Sequence, residues 1–164
     1  MAVLRRAPSV ARAVILADTR AGADTSEGRA NRRGMLAVLD REGPQGVAQA
    51  MMPKLLGKTT MQDGSAVEPL VRRLIKQQSS AAIRGAIMRM MERPDSMSTV
   101  ASIAVPLLIM VGDEDVLTPV EDSRKMEATN AKAELVVLPR TGHLANLEQP
   151  NAFNDAVRAF LSRL

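Results

Sequence analysis

Three short and almost continuous apolar runs divide the chain. They are residues 13–17 (AVILA), 105–111 (VPLLIMV) and 134–138 (ELVVL). Continuous apolar runs of this length are typical of strands that are buried on both faces of a parallel sheet. Apolar positions at helical spacing follow the second run at about residues 120–128, and the third at about 151–164. This strand–helix–strand–helix order predicts parallel strands joined by right-handed crossovers.

The stretch from residue 25 to about residue 91 has helical periodicity and no strand-like run. Thr25 or Ser26 can cap a first helix, and Gly43-Pro44 breaks the chain after it. Gly57 is the expected C-terminal glycine of the second helix. The pattern predicts four short amphipathic helices, at about residues 25–39, 45–56, 65–77 and 79–91. A further helix end is expected at residues 1–7, stopped by Pro8.

Methionine replaces much of the usual aromatic bulk in this chain. There are eleven methionines and two aromatic residues, Phe153 and Phe160, in 164 residues. Seven of the methionines lie in the helical stretch. They are either residues that pack the helices together or residues that line an adaptable apolar pocket.

The composition limits the classes of function. An apolar content of 46% and a charged content of 24% are typical of one soluble globular domain. The net charge of +4 is dispersed, so no nucleic-acid partner is predicted. Without cysteine and with one histidine, neither a disulfide, nor thiol catalysis, nor a zinc site, nor any cofactor is predicted. With no apolar run of membrane-spanning length and no signal-peptide pattern, the sequence predicts a cytoplasmic protein without membrane contact.

An acid and a base follow two of the predicted strands. Asp115 comes after the second strand, and His143, the only histidine, comes after the third. Neighbouring parallel strands end at the same edge of a sheet, so the pair suggests two members of a nucleophile–histidine–acid triad. No serine follows a strand in a glycine-flanked turn, so the sequence supplies no evident nucleophile.

Two loops carry a family resemblance. Residues 112–119 (GDEDVLTP, the acid loop) resemble the G-x-x-D-x-x-[ST]-P loop of α/β-hydrolases. Residues 141–150 (TGHLANLEQP, the histidine loop) resemble that family's G-H-x-x-x-x-E-x-P loop. Residues 13–29 are similar to the strand that follows the nucleophile helix, and the helical stretch lies where the family inserts a cap. The carboxylesterase and 3-oxoadipate enol-lactonase-like branch is the most similar.

The resemblance implies an α/β fold, the C-terminal part of an α/β-hydrolase. About three parallel strands with flanking helices are expected from residues 1–24 and 97–164, and a cap of about four helices from residues 25–96. It also implies a carboxylic-ester hydrolase that acts on a small to medium apolar ester. No G-x-S-x-G motif occurs, so the nucleophile, the oxyanion donors and the first five strands of the family are expected to be missing.

The same resemblance assigns roles to single residues. His143 would be the general base and Asp115 the acid that orients it, with Asp113 and Glu114 as alternative acids. Glu148 is expected to hydrogen-bond loop backbone. Thr118 and Pro119 are expected to shape the turn into the next helix.

Two alternatives to an active esterase remain open at the sequence level. One is a half-enzyme whose site is completed by another chain. The other is a non-catalytic binding or assembly protein. The first strand would have an open apolar edge, so a homo-oligomer through that edge or through the cap helices is also expected.

Overall fold

The computed structural model describes all residues from 1 to 164. Its helices are α1 (Ala2–Arg6), α2 (Ser26–Leu55), α3 (Lys58–Gln62), α4 (Val67–Lys76), α5 (Ser80–Met91), α6 (Met97–Ala101), α7 (Val120–Ala128), α8 (Ala145–Glu148) and α9 (Pro150–Leu161). Its strands are β1 (Val14–Ala17), β2 (Leu107–Gly112) and β3 (Ala133–Leu138). A single 3₁₀ turn, Pro8–Val10, follows α1.

The three strands form one parallel sheet in the order β1-β2-β3. Leu107 in the central strand is opposite Val14 on one side and Ala133 on the other. Every residue of β2 is buried, as its continuous apolar sequence predicts for a strand covered on both faces. The predicted α/β architecture with flanking helices is confirmed.

Alternate residues of β2 contribute to two separate cores. Leu107 and Ile109 pack with residues of α6 and α7, among them Met126. Leu108 and Met110 point to the opposite face, where they pack with Ala145 and Phe160 of α8 and α9. The sheet therefore has helices on both faces, and its carboxyl edge is free to carry the acid and histidine loops.

The helical segment, residues 25–96, begins at a capped helix. The Thr25 side chain accepts a hydrogen bond from the Gly28 amide at 3.0 Å. Gly43 adopts φ 65° and ψ −163° in the middle of α2, directly before Pro44, so the predicted break in the chain is present as a kink. Helices α4 and α5 both pack against α2. A small core of Met52, Leu56 and Val71 holds α2 and α4 together.

Charged residues join the two ends of the helical segment to the loop after β1. The buried Asp24 carboxylate pairs with Arg20 at 2.9 Å and also with Arg32. The hydrogen bond from Arg32 outweighs burial and lowers the pKa of Asp24. Arg93 donates to the carbonyls of Arg20 and Gly22, each at 2.7 Å. The points where the chain enters and leaves the segment are therefore held together.

The structure differs from the sequence prediction in its shortest helices and at Gly57. The sequence did not predict α3, α6 or α8, because four or five residues are too few to show a 3.6-residue period. Gly57 is also not a C-terminal glycine. The helix α2 ends at Leu55 with Leu56 as its C-cap, and Gly57 has an ordinary φ of −63°. Its lack of a side chain is needed for contact with the histidine loop, as described below.

One edge of β1 has no strand partner. The amides of Val14 and Asp18 donate to Pro106 and Met110 on the β2 side. Since alternate amides of a parallel strand point to opposite sides, those of Ile15 and Ala17 face the free edge. Ile15, on this edge strand, is 36% exposed.

No helix of the protein is both long and apolar enough to cross a membrane.

Candidate active site

The acid and the histidine predicted from sequence are in direct contact. The Oδ2 atom of Asp115 lies 2.8 Å from Nδ1 of His143. Both residues are on loops at the carboxyl edge of the sheet, one after β2 and the other after β3. An ionised carboxylate can only accept, so Nδ1 carries the hydrogen and the neutral ring has its lone pair on Nε2. This is the tautomer that a histidine base requires.

The acid loop holds Asp115 in place with its own backbone. Oδ1 accepts hydrogen bonds from the amides of Leu117 at 2.8 Å and Thr118 at 2.9 Å. Oδ2 accepts from the Thr118 hydroxyl at 2.5 Å, in addition to His143. Thr118 was expected only to shape the turn, but its hydroxyl also binds the acid. With four donors and 5% exposure, the carboxylate is fixed in one orientation.

The two groups shift each other's pKa. Burial alone would raise the pKa of Asp115, but hydrogen bonds from His143 and Thr118 outweigh it and hold this pKa below its usual range. Burial alone would lower the pKa of His143, but the hydrogen bond to Asp115 and its charge raise it above the ordinary 6.5. The pair therefore favours an ionised carboxylate and an imidazole that is more basic than an ordinary histidine.

The two alternative acids lie elsewhere. Asp113 is exposed and accepts a hydrogen bond from the Thr141 amide at 3.3 Å. Glu114 binds the amide and hydroxyl of Thr59 in the helical segment, at 2.8 and 2.7 Å. Neither carboxylate contacts His143, so the geometry selects Asp115 among the three acids of the loop.

A third carboxylate, Asp18, lies beside the pair and was not singled out from sequence. It follows β1 with a left-handed φ of 44°. Its Oδ1 accepts from the Gly112 amide at 3.1 Å, and its Oδ2 accepts from the Ala145 amide at 3.2 Å. Burial raises the pKa of Asp18 from 3.8 to about 6, although both hydrogen bonds oppose the shift. A signal was present in the sequence, because Asp18 follows its strand as Asp115 follows β2.

The other ring nitrogen of His143 has no hydrogen-bond partner in the chain. The imidazole contacts of His143 are with Asp115 and Thr118, both through Nδ1. Several serine hydroxyls serve local structure instead, since Ser65 and Ser79 accept from nearby amides, and Ser102 and Ser162 donate to nearby carbonyls. A substrate or a nucleophile would approach Nε2.

No group of three acidic or histidine side chains has the arrangement of a metal site.

Comparison with known proteins places the chain in a family. The profile of the alpha/beta hydrolase family matches residues 1–156. The putative carbamate hydrolase RutD of Pseudomonas syringae is 35% identical over 72 residues, which are 44% of this chain and 28% of that protein. The 3-oxoadipate enol-lactonase 2 of Acinetobacter baylyi is 38% identical over 61 residues, which are 37% of this chain and 22% of that protein.

A solved structure matches over almost the whole chain. The malate-bound structure of a thermophilic esterase from Thermogutta terrifontis aligns with a TM-score of 0.92 and 33% identity. The alignment covers 99% of this chain and 60% of the esterase chain, so the protein spans less than two thirds of that relative's length. Since the family profile covers nearly all of the sequence and the sheet has the expected parallel topology, the chain belongs to the alpha/beta hydrolase family.

Proposed function

We propose that this chain supplies the acid and base of a carboxylic-ester hydrolase, with His143 as general base and Asp115 as the acid that orients it. The observation that carries the proposal is the 2.8 Å contact between Asp115 Oδ2 and His143 Nδ1. The likeness to the esterase over 99% of the chain supports an ester as substrate. Without that contact, neither the tautomer nor the basicity of the imidazole would be set.

In the proposed reaction, His143 acts as the base through its free Nε2 atom. Its Nε2 accepts the proton of a serine hydroxyl while the serine oxygen bonds to the ester carbonyl carbon. The carboxylate of Asp115 stabilises the imidazolium that forms. Nε2 then returns the proton to the departing alkoxide, which leaves an acyl-serine. Water then attacks the acyl-serine while the same nitrogen takes its proton. Nε2 returns this proton to the departing serine oxygen, so the carboxylic acid leaves and both the serine and the neutral imidazole are regenerated.

The nucleophile in this proposal comes from outside residues 1–164. No serine of the chain hydrogen-bonds His143, and no G-x-S-x-G turn is present. The free edge of β1 is the place where a strand carrying such a turn can add to the sheet. The chain then acts as half of an enzyme, and the helical segment, residues 25–96, covers the substrate as a cap. Its methionines suit a small to medium apolar acyl or alcohol group.

A covalent probe tests this assignment. The purified chain is mixed with the part of the T. terrifontis esterase that it does not span, treated with a fluorophosphonate and analysed by intact mass. We expect one stoichiometric adduct, on the added segment only, and its loss in the variant His143→Ala. p-Nitrophenyl acetate hydrolysis should follow the same pattern. Labelling of this chain itself, or labelling that survives His143→Ala, would contradict the proposed division of roles.

The free edge of β1 also favours a second candidate, a self-associating protein without catalysis. Unpaired amides and a partly exposed Ile15 favour pairing with the same edge of another copy. Light scattering at micromolar concentration should then give a dimer, and Ile15→Lys should give a monomer because a charge blocks edge pairing. A monomeric wild-type chain would exclude this candidate and leave the half-enzyme proposal untouched.

A further inference from the structure

Three glycines bring the histidine loop into backbone contact with its neighbours. A Cβ atom on Gly142 would overlap the Gly57 amide nitrogen and lie 2.6 Å from the carbonyl carbon of Leu56. A Cβ atom on Gly112 would likewise overlap the carbonyl oxygen of Thr141. The histidine loop therefore lies directly against two backbones, that of the end of β2 and that of the chain after α2. There is no space for a side chain at either contact.

The Glu148 carboxylate binds both sides of this contact. Its Oε2 accepts hydrogen bonds from the Gly57 amide at 2.8 Å and the Thr60 hydroxyl at 2.7 Å, both in the helical segment. Its Oε1 accepts from the Leu144 amide at 3.2 Å, next to His143. One side chain thus joins the histidine loop to a segment more than eighty residues away.

Glu114 makes a parallel connection from the acid loop. Both of its oxygens bind Thr59, one through the amide and one through the hydroxyl. Burial alone would raise the pKa of Glu114, but these two hydrogen bonds outweigh it and the pKa lies below its usual range. Glu114 immediately precedes Asp115, so each member of the acid–base pair has a neighbouring carboxylate that binds the helical segment.

The helical segment in turn holds the backbone of His143. The His143 amide donates to the Leu55 carbonyl at 3.1 Å. Leu144 and Leu147 pack on the core formed by Met52, Leu56 and Val71. The backbone of the histidine is therefore held by the helical segment, and its ring is held by Asp115.

We propose that Glu148 and Glu114 are positioning residues, which clamp residues 55–60 of the helical segment against the two loops and thereby fix the placement of His143. The functional meaning of this clamp rests on the proposed role of His143 as base. Its consequence is that movement of the helical segment is transmitted directly to the base. As a cap, the helical segment would only cover the substrate, whereas the clamp makes it part of the support of the acid–base pair.

The single histidine provides a direct test. Labelling with ¹⁵N-histidine gives one backbone amide signal, that of His143, whose hydrogen exchange reports its bond to Leu55. We expect Glu148→Ala to accelerate this exchange by about tenfold or more, because the clamp loses three hydrogen bonds. Thr60→Val removes one of them without changing charge and should accelerate exchange by a few fold. Glu68→Ala, which removes a half-buried carboxylate that is bound to Arg72 on α4 and to neither loop, is the matched control and should have no effect.

The pKa of the His143 imidazole is a second measurement. It separates the effect of the Glu148 charge from the loss of hydrogen bonds. The charge of Glu148 contributes to the raised pKa of His143, so Glu148→Ala should lower that pKa. Thr60→Val should leave the pKa unchanged while still accelerating amide exchange.

Unchanged His143 exchange in both folded variants would overturn the proposal. Acceleration equal to that of the β2 amides, followed in a uniformly ¹⁵N-labelled sample of the same variant, would overturn it as well, because it would reflect global unfolding only. The measurement needs no nucleophile, so its outcome is independent of the covalent-probe experiment.

Discussion

The carboxylate of Asp18 accepts the amide hydrogen of Ala145 at 3.2 Å across 127 residues of sequence. The end of β1 is thus joined to the histidine loop, and the same carboxylate binds the end of β2 through Gly112. The acid–base pair of Asp115 and His143 therefore lies beside a partly buried carboxylate that hydrogen-bonds to neither of them. This arrangement has measurable consequences for pH dependence.

The first prediction concerns Asp18. Its pKa is raised to about 6, so the folded state keeps this proton to a higher pH than the unfolded chain. Its contribution to stability is therefore greatest below about pH 4 and is lost as the pH rises to about 6. We expect the free energy of unfolding of the wild type, relative to Asp18→Asn, to fall by at most about 3 kcal/mol across that range. Urea titrations at pH 4, 5 and 7 measure it, and identical pH slopes for the two proteins would refute the prediction.

The second prediction concerns the range of pH in which the Asp115–His143 pair stabilises the fold. The lowered pKa of Asp115 gives stability that is present above its ordinary 3.8 and lost as pH falls through the folded value. The raised pKa of His143 gives stability that is present below 6.5 and lost as pH rises through its folded value. A double-mutant cycle with Asp115→Asn and His143→Ala should give a coupling of about 1–3 kcal/mol between pH 4 and 6.5. The coupling should shrink at pH 9, and one that stays constant would contradict this assignment.

The third prediction concerns the basicity of His143. Replacing Asp115 with Asn removes both the charge and the hydrogen-bond acceptor that raise the pKa of His143, so this pKa should fall. The Cε1 proton of the only histidine gives this value directly in an NMR titration. Asp113→Asn removes an equal charge from the same loop at an exposed position without contact to the ring. Equal shifts in the two variants would mean that overall loop charge, rather than the hydrogen bond, sets the basicity.

The fourth prediction concerns the glycine contacts. Gly142→Ala forces a methyl group against the backbone of residues 56 and 57, and should destabilise the fold by about 3 kcal/mol or more. Gly34→Ala is the matched control, because it lies in α2 with no atom within 4 Å of an added Cβ. There alanine should stabilise by up to about 1 kcal/mol through helix propensity. Thermal unfolding compares the two, and a tolerated alanine at position 142 would show that the loop can move away.

Local signals accounted for most of the fold. The apolar runs located all three strands to within two residues. The expectation of strands buried on both faces is confirmed for β2 alone, because β1 and β3 lie at the edges of the sheet and are partly exposed. The break in α2 was predictable from Gly43-Pro44, since proline and glycine act on the backbone wherever they occur. The helices α3, α6 and α8 were missed because their short length leaves no period to detect.

Some features of the candidate site were also predictable from the sequence, and others depend on tertiary contacts. The sequence by itself determined that Asp115 and His143 each follow an apolar strand, because the order of strands and loops along the chain is local information. Only the tertiary structure decided which acid of the loop meets the histidine, and that Asp18, Glu114 and Glu148 surround the pair. Only the tertiary structure also decided that Gly57 is small because a backbone lies against it. These contacts join residues 28 to 127 positions apart, and such distances are closed by packing of the sheet and helices rather than by any local preference of the chain.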